Sequence, residues 1–260
     1  MSPDPFADLL GLPGVFEAVE GARAGIDGLL REPALRRRPP ALTVEALRRG
    51  AWASAVIEGV PIDQSAFHAP FSDDLSDDLS DEHRATASAS LRISTELGAM
   101  APVWRRTPLQ ALARLHAVAA SGLVPPDEVG RPRAVPDVST RLAELAGAVT
   151  NPTDAPAVLV AAVVHGELLV VEPFGWGNGL VARAAQRLVL IDRGVDPAAV
   201  SIPEVGVLEA GRTEYTEALA AYATGTSDGT ARWLCFVAET VARGARAGRA
   251  ALADRADPPR

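Results

Sequence analysis

The chain has 260 residues, of which 48% are hydrophobic, so it can bury the core of one moderately large domain. Its formal net charge of −8 argues against general nucleic-acid binding, because affinity for a phosphate backbone grows with the number of cations that contact it. All 25 basic residues are arginine, which excludes a Walker-A lysine, a kinase lysine and a Schiff-base lysine.

The beginning of the chain and its lone cysteine bear on the cellular compartment. Residues 1–5 lack the basic region of a signal peptide, and the longest apolar run, 156–164, is too short to span a bilayer. Cys235 has no second cysteine for an internal disulfide, as is usual in a reducing compartment. We therefore expect a cytoplasmic protein without a membrane segment.

Apolar residues at helical spacing dominate the first part of the chain. They predict a helix over 14–30 that ends before the arginine and proline run 36–40, and a second helix from a Thr43 cap to Glu58. The acidic repeat 72–81 lacks the glycine and the final glutamate of an EF-hand loop, so we expect a solvated linker there.

Later segments also favour helices. The predicted ranges are 81–100, 107–122, 138–149, 156–171, 215–222 and about 230–248. The β-branched pair at the end of Leu168-Leu169-Val170-Val171 leaves a short buried strand open as an alternative at that point.

Three glycines in the five positions 175–179 precede a run of helical apolar spacing, 180–190. Glycines let a chain pass close to a ligand and adopt positive φ, and the first N–H groups of the helix that follows point outward without partners. Such a helix start attracts phosphate. Arg183 and Arg187 lie one turn apart on this helix. The pattern predicts an anion-binding turn joined to a buried helix.

The segment 172–183 resembles the signature of the Fic/Fido family, H-x-F-x-(D/E)-G-N-G-R-x-x-R. The matching residues are Pro173, Phe174, Gly177, Asn178, Gly179 and Arg183. The chain departs from the signature at three positions. Glu172 stands where the family has its general-base histidine, Trp176 where it has the metal-binding acid, and Leu180 where it has the first arginine.

Upstream segments resemble the same family in the expected order. Residues 112–116 are similar to its L-x-x-L-H helix, and the helix that contains His165 is similar to the one preceding the signature. Residues 54–59 are similar to the (S/T)-x-x-x-E-(G/N) inhibitory helix, whose glutamate pairs with the second signature arginine. The resemblance implies that Glu58 reaches Arg183.

The resemblance implies an all-α fold, a Fic/Fido-like helical bundle with an N-terminal helical extension. The extension would cover 1–42. The Fic-like domain would cover 43–225, including the inhibitory-like helix 43–59 and the acidic linker 72–81. A C-terminal helix and a disordered tail would occupy 226–260.

In the family, the histidine serves as base and the acid holds Mg²⁺ for transfer of a nucleotide monophosphate to a protein hydroxyl. Loss of a positioned general base costs about 10²- to 10⁴-fold in rate. Tryptophan does not ligate Mg²⁺, and Leu180 offers no charge to a phosphate. We therefore expect the usual AMP transferase activity and the Mg²⁺ site to be lost.

The resemblance also implies that the chain keeps an anion site for ATP or another nucleotide. Its residues would be Gly177, Asn178, Gly179 and Arg183, with Ser54 and Glu58 as a regulatory latch. A glycine turn that serves only to start the helix, with Arg183 balancing Glu58, is the purely structural alternative.

Three other functions stay open at this point. Glu172 would be the base of a diverged adenylyltransferase-type enzyme, although a glutamate is a weak base unless burial raises its pKa. Gly177-x-Gly179-x-x-Ala182 matches a G-x-G-x-x-A fingerprint of NAD(P)-dependent oxidoreductases, with Asp192 after a strand 188–191 as the ribose acid. A module that binds a target or partner protein is the third.

Overall fold

The computed structural model describes residues 4–37, 39–67 and 79–256, and within these ranges the chain forms helices and no strand. The helices, in chain order, are α1 (Val15–Leu30), α2 (Pro33–Arg37), α3 (Pro39–Ile57), α4 (Asp81–Arg106), α5 (Pro108–Ala120), α6 (Pro136–Thr150), α7 (Ala157–Val171), α8 (Asn178–Asp192), α9 (Pro203–Ala210), α10 (Arg212–Ala223) and α11 (Ser227–Ala256). None of them combines the length and the apolar character needed to cross a bilayer.

Helices α7 and α8 form the centre of the bundle. Helix α7 is apolar on all sides, and such a helix has to be buried from every direction. Helix α8 is buried continuously from Leu180 to Leu190 and carries two arginines into the interior. Helices α4 and α5 pack on α8, while α10 and α11 pack on α7. The glycine-rich segment therefore joins two helices that lie largely in the core.

Helix α11 approaches α7 closely at one glycine. The indole Nε1 of Trp233 donates to the backbone oxygen of Ala162 at 2.8 Å. A Cβ at Gly166 would lie 2.5 Å from that nitrogen, so the glycine makes room for the indole. Helix α1 packs along α11 on the other side, so both ends of the described chain join the main core.

Helix α3 is held against α4 and against the segment that precedes α9. The Ser90 hydroxyl of α4 donates to the backbone oxygen of Ala51 at 2.6 Å. The Thr43 hydroxyl donates to the oxygen of Ala198 at 2.8 Å, so Thr43 does not cap the helix. The inhibitory-like segment at the end of α3 is therefore anchored to the bundle.

The helices predicted over 14–30, 107–122, 138–149 and 156–171 are confirmed with shifts of a few residues. The predicted start of the second helix was wrong, because α3 begins at Pro39 rather than at a Thr43 cap. Proline is tolerated in the first turn of a helix, where its missing N–H would have no partner anyway.

The strand alternatives were also wrong. Residues 168–171 form the last turn of α7, and residues 188–191 lie in α8. A short apolar run does not distinguish a buried helix from a buried strand, and here both runs continue longer helices. The oxidoreductase hypothesis relied on these strands for a dinucleotide-binding fold, and the described residues form helices there instead. Helices α2 and α9 were not predicted, and α2 ends inside the arginine and proline run that was expected to be a helix stop.

Two predicted helices extend further than their patterns indicated. Helix α4 continues through Pro102 to Arg106, and α11 continues to Ala256. At the other end of α4, Ser80 accepts a hydrogen bond from the His83 N–H and Asp81 begins the helix. The rest of the acidic linker, 72–78, and the end of the predicted tail, 257–260, lie outside the described residues. The domain boundaries at 42 and 225 stay a prediction.

Candidate functional site: an anion-binding turn at the start of α8

Residues 172–179, the signature turn, connect α7 to α8. Glu172 ends α7 in the left-handed region at φ 45°, and Gly177 precedes α8 at φ 72°, the one glycine of the turn with positive φ. The Asn178 amide accepts from the Phe174 N–H at 2.9 Å and donates to the Phe174 oxygen at 2.8 Å. The Asn178 side chain therefore closes the turn, and its backbone N–H belongs to the helix start.

The connection between α5 and α6 holds the turn from outside. Arg133 donates from Nε to the Glu172 oxygen at 2.7 Å and from Nη2 to the Val171 oxygen at 3.0 Å. Its own N–H donates to the Pro173 oxygen at 2.8 Å. Because these carbonyls end α7 and lack helical partners, Arg133 stabilises the turn by satisfying them.

Two pieces of the sequence resemblance meet at Phe174. Its ring stacks on the imidazole of His116 from the L-x-x-L-H helix, with ring centroids 4.0 Å apart and planes 3° apart. The Gly130 N–H donates to Nδ1 of His116 at 2.9 Å. Burial lowers the pKa of His116, with a backbone hydrogen bond to Trp176 opposing that shift. His116 therefore supports the turn as a neutral, packed side chain.

Arg183 of α8 meets the inhibitory-like segment of α3. Its Nη2 lies 2.5 Å from Oε1 of Glu58, and its Nε donates to the Ser54 hydroxyl at 2.8 Å. Burial by itself would lower the pKa of Arg183, but the charge of Glu58 and the nearby Tyr215 oxygen outweigh it and raise that pKa. The Arg183 side chain is 3% exposed, whereas that of Glu58 is 30% exposed.

The same carboxylate lies over the first turn of α8. A Cβ at Gly179 would overlap Oε1 of Glu58, so the helix start and Arg183 share one anion. The N–H groups of a first helical turn carry partial positive charge and lack helical partners. The carboxylate is thus placed where two sources of positive potential converge, and the chain itself supplies the anion.

The sequence prediction is correct in that Ser54, Glu58, Gly179 and Arg183 come together. Glu172 is different, because its side chain is exposed and its backbone serves as a cap for α7. Leu180 is 1% exposed and belongs to the main core, so the position of the first signature arginine is used for packing.

The residues of the turn do not fit the metal that the resemblance implies. Trp176 offers no oxygen ligand and packs, half-buried, against the main core. Across 4–37, 39–67 and 79–256, no group of three or more His, Cys, Asp or Glu side chains is placed to hold a metal ion.

Behind Arg183 lie three buried polar side chains that sequence reasoning did not assign to the site. They are Tyr215, His165 and Gln186. The Tyr215 hydroxyl lies 2.9 Å from Nε2 of His165. Burial and the charge of Arg183 lower the pKa of His165 to about 3, so this ring is neutral at physiological pH. No local pattern signals these contacts, since Tyr215 lies on α10, far from Arg183 in sequence.

Sequence comparison finds no matching family model and no similar curated protein. Solved structures do match. A Fic family protein from Desulfovibrio desulfuricans G20 is 22% identical, with a TM-score of 0.74 over 92% of this chain and 74% of that one. The chain has the Fic fold. A fragment of Fic-1 from C. elegans is 18% identical, with a TM-score of 0.73 over 93% of this chain and 73% of that one.

A third Fic structure extends the match to a smaller protein. A Fic domain containing signaling protein from Bacteroides thetaiotaomicron VPI-5482 is 13% identical, with a TM-score of 0.65 over 94% of this chain and 100% of that one. The predicted all-α, Fic-like bundle is confirmed. In this Fic fold, the glutamate of the inhibitory-like motif contacts the arginine that the resemblance assigned to it.

Proposed function

We propose that this Fic-fold protein binds a nucleotide or another phosphate compound without the usual AMP transferase activity, and that Glu58 closes its anion site. The observation that carries this proposal is the position of the Glu58 carboxylate, which contacts Arg183 and covers the first turn of α8 at Gly179.

The electrostatics of the site support an exchangeable anion. A buried arginine that loses its carboxylate is strongly destabilised, so the space beside Arg183 favours an anion in every state of the protein. The Glu58 side chain is 30% exposed and can move into water, whereas Arg183 is 3% exposed and cannot. A phosphate oxygen satisfies both the guanidinium and the helix start, as carboxylate oxygens do here.

Three side chains support the loss of transferase activity. Glu172 is exposed, Trp176 packs on the core, and Leu180 is buried among apolar residues. Each replaces a group that the resemblance assigns to proton removal, metal binding or phosphate charge. The proposed protein therefore keeps binding and lacks the groups that drive the chemical step.

The test is calorimetric titration with ATP and GTP, with and without Mg²⁺, on the wild type and on Glu58→Ala. We expect at least tenfold tighter binding by Glu58→Ala and little dependence on Mg²⁺. Glu217→Ala is the matched control, because Glu217 also pairs with an arginine, at 2.7 Å, but on the exposed surface. Absence of binding by both the wild type and Glu58→Ala contradicts the proposal and leaves the turn a structural element.

Transfer of labelled AMP to protein is measured on the same variants. We expect none, because no group in the signature turn is placed to serve as a buried base. Transfer that appears in Glu58→Ala and disappears when Glu172→Ala is added would contradict the loss of activity and establish Glu172 as the base.

A further inference from the structure

Arg212, the first residue of α10, lies beside the end of α3. Gly59 follows Glu58 there with φ 97°, and a Cβ built on Gly59 would lie 3.6 Å from Nη1 of Arg212. Consecutive Cα atoms are about 3.8 Å apart, so this guanidinium also lies close to the backbone of Glu58. An arginine from a different helix is therefore next to the residue that closes the anion site.

The charge of Arg212 is unused in the closed state, in which Glu58 pairs with Arg183. In the part of the chain that the structure describes, Arg212 is exposed and its guanidinium has no ion-pair or hydrogen-bond partner. Glu214 lies two residues further along α10, and side chains at this spacing on a helix do not face each other. The helix dipole also disfavours a cation in the first turn. Arg212 therefore lacks a carboxylate in the closed state.

Glu58 is the carboxylate that is able to pair with Arg212 after a movement of its side chain. The Glu58 side chain is 30% exposed, whereas its present partner, Arg183, is 3% exposed. The backbone of Glu58 is held at the end of α3, where its N–H donates to the Ser54 oxygen at 3.2 Å. A carboxylate that leaves Arg183 remains tethered to this backbone, so it stays within reach of the exposed guanidinium of Arg212.

We propose that Arg212 receives the Glu58 carboxylate when an external anion replaces it at Arg183. The open state of the site then contains two ion pairs, one between the anion and Arg183 and one between Glu58 and Arg212. A contact present only in the open state shifts the equilibrium toward that state. Pairs between exposed side chains are weak, so we expect a shift of about two- to fivefold. This inference rests on the proposed anion site and names the residue that regulates its opening.

The affinity test measures ATP binding by calorimetry in the wild type, Arg212→Gln, Glu58→Ala and the double variant Glu58→Ala/Arg212→Gln. We expect Arg212→Gln to weaken binding about two- to fivefold in the wild-type background, because the released carboxylate loses its partner. The same substitution should leave the affinity of Glu58→Ala unaltered, since no carboxylate is released there. Arg232→Gln is the matched control, because it removes the same charge from an exposed pair on α11, and it should change the affinity in neither background.

Two results of this titration would overturn the proposal. Equal weakening by Arg212→Gln in both backgrounds would mean that Arg212 contacts the nucleotide itself. An unchanged or higher affinity in the wild-type background would mean that Arg212 does not hold Glu58 in the open state. A salt concentration of about 0.15 M screens distant exposed charges, so the comparison reports local contacts.

A second measurement needs no nucleotide and separates this inference from the proposed function. The Nη2 protons of Arg183 donate to Glu58, so their exchange with solvent follows the release of that carboxylate. We expect exchange about two- to fivefold slower in Arg212→Gln than in the wild type, with no such change for Arg232→Gln. Equal exchange rates in Arg212→Gln and the wild type overturn the role of Arg212. Slower exchange together with no ATP binding by the wild type or Glu58→Ala overturns only the proposed function.

Discussion

Arg183 and Arg187 lie one turn apart on α8, and both are buried, but their surroundings differ. Arg183 is near the helix start and pairs with a carboxylate that is 30% exposed. Arg187 lies deeper, donates to the backbone oxygens of Ala199 and Ser201 at 2.7 and 3.1 Å, and has Glu204 at 3.6 Å with 8% exposure.

Under the proposed function, the difference separates the arginine whose anion can be exchanged from the arginine whose partners stay in place. The partners of Arg187 are two backbone carbonyls and a carboxylate that is only 8% exposed, so this arginine holds the connection between α8 and α9 in place. The main partner of Arg183 is able to leave for solvent, and the helix start beside it offers further positive potential. A buried arginine becomes a candidate binding group only where its anion is exchangeable.

The largest expected effect on the free energy of unfolding comes from replacing Arg187. Arg187→Met leaves Glu204 buried without its cation and two carbonyls without a donor, so we expect a loss of about 3–5 kcal/mol in the free energy of unfolding. Urea denaturation measures it. Arg232→Met, in an exposed pair with Glu217, is the control and should lose under about 1 kcal/mol. A loss below about 1 kcal/mol for Arg187→Met would remove the distinction between the arginines.

Adding a methyl group at Gly50 of α3 tests how closely this helix packs against Arg187 and Glu204. A Cβ at Gly50 would lie 2.7 Å from Nη1 of Arg187 and 3.1 Å from Oε2 of Glu204. Because both side chains are buried, we expect Gly50→Ala to destabilise the protein by about 1–3 kcal/mol in urea denaturation. Gly98→Ala serves as control, since nothing lies within 4 Å of its Cβ, and alanine in a helix should stabilise by up to about 1 kcal/mol. Similar values for both alanines would contradict the close packing.

The free energy of unfolding should depend on pH through His165 of α7, whose pKa is lowered by burial and by the charge of Arg183. The pKa of His165 is lowered from 6.5 to about 3. Between these two pH values, His165 is protonated in the unfolded state but stays neutral in the folded state. Stability therefore falls as pH decreases through this window, by up to about 1.4 kcal/mol per pH unit, or about 2 kcal/mol between pH 6.5 and 5. Urea denaturation at several pH values should show a shallower fall for His165→Gln. Parallel curves would contradict the prediction, because other titrating groups are common to both proteins.

The smallest expected change in stability is at Gly179, where the added atom meets the far end of Glu58. That carboxylate can shift toward water while staying beside the guanidinium, so Gly179→Ala should change the free energy of unfolding by less than about 1 kcal/mol while lengthening the Glu58–Arg183 contact. Urea denaturation measures the first effect, and exchange of the Arg183 Nη2 protons, which donate to Glu58, measures the second. A loss as large as that of Gly50→Ala would show that Glu58 is not exchangeable.

Several features of the fold and the site could be predicted because their signals are local. The inhibitory-like motif and the signature, read in order, predicted that Glu58 meets Arg183, and apolar periodicity predicted most helices. The strand alternative at 168–171 was wrong because a short apolar run carries no period that separates strand from helix. The short helices α2 and α9 were missed.

By itself, the sequence determined the kind of bundle, the glycine turn and the two motif partners, since each depends on residue types at fixed short spacings. The tertiary structure decided that Arg133 caps α7 and that Tyr215 meets His165 in the core. These contacts join residues far apart in the chain. These contacts form only when whole helices pack together, so a pattern of neighbouring residues in the sequence does not predict them.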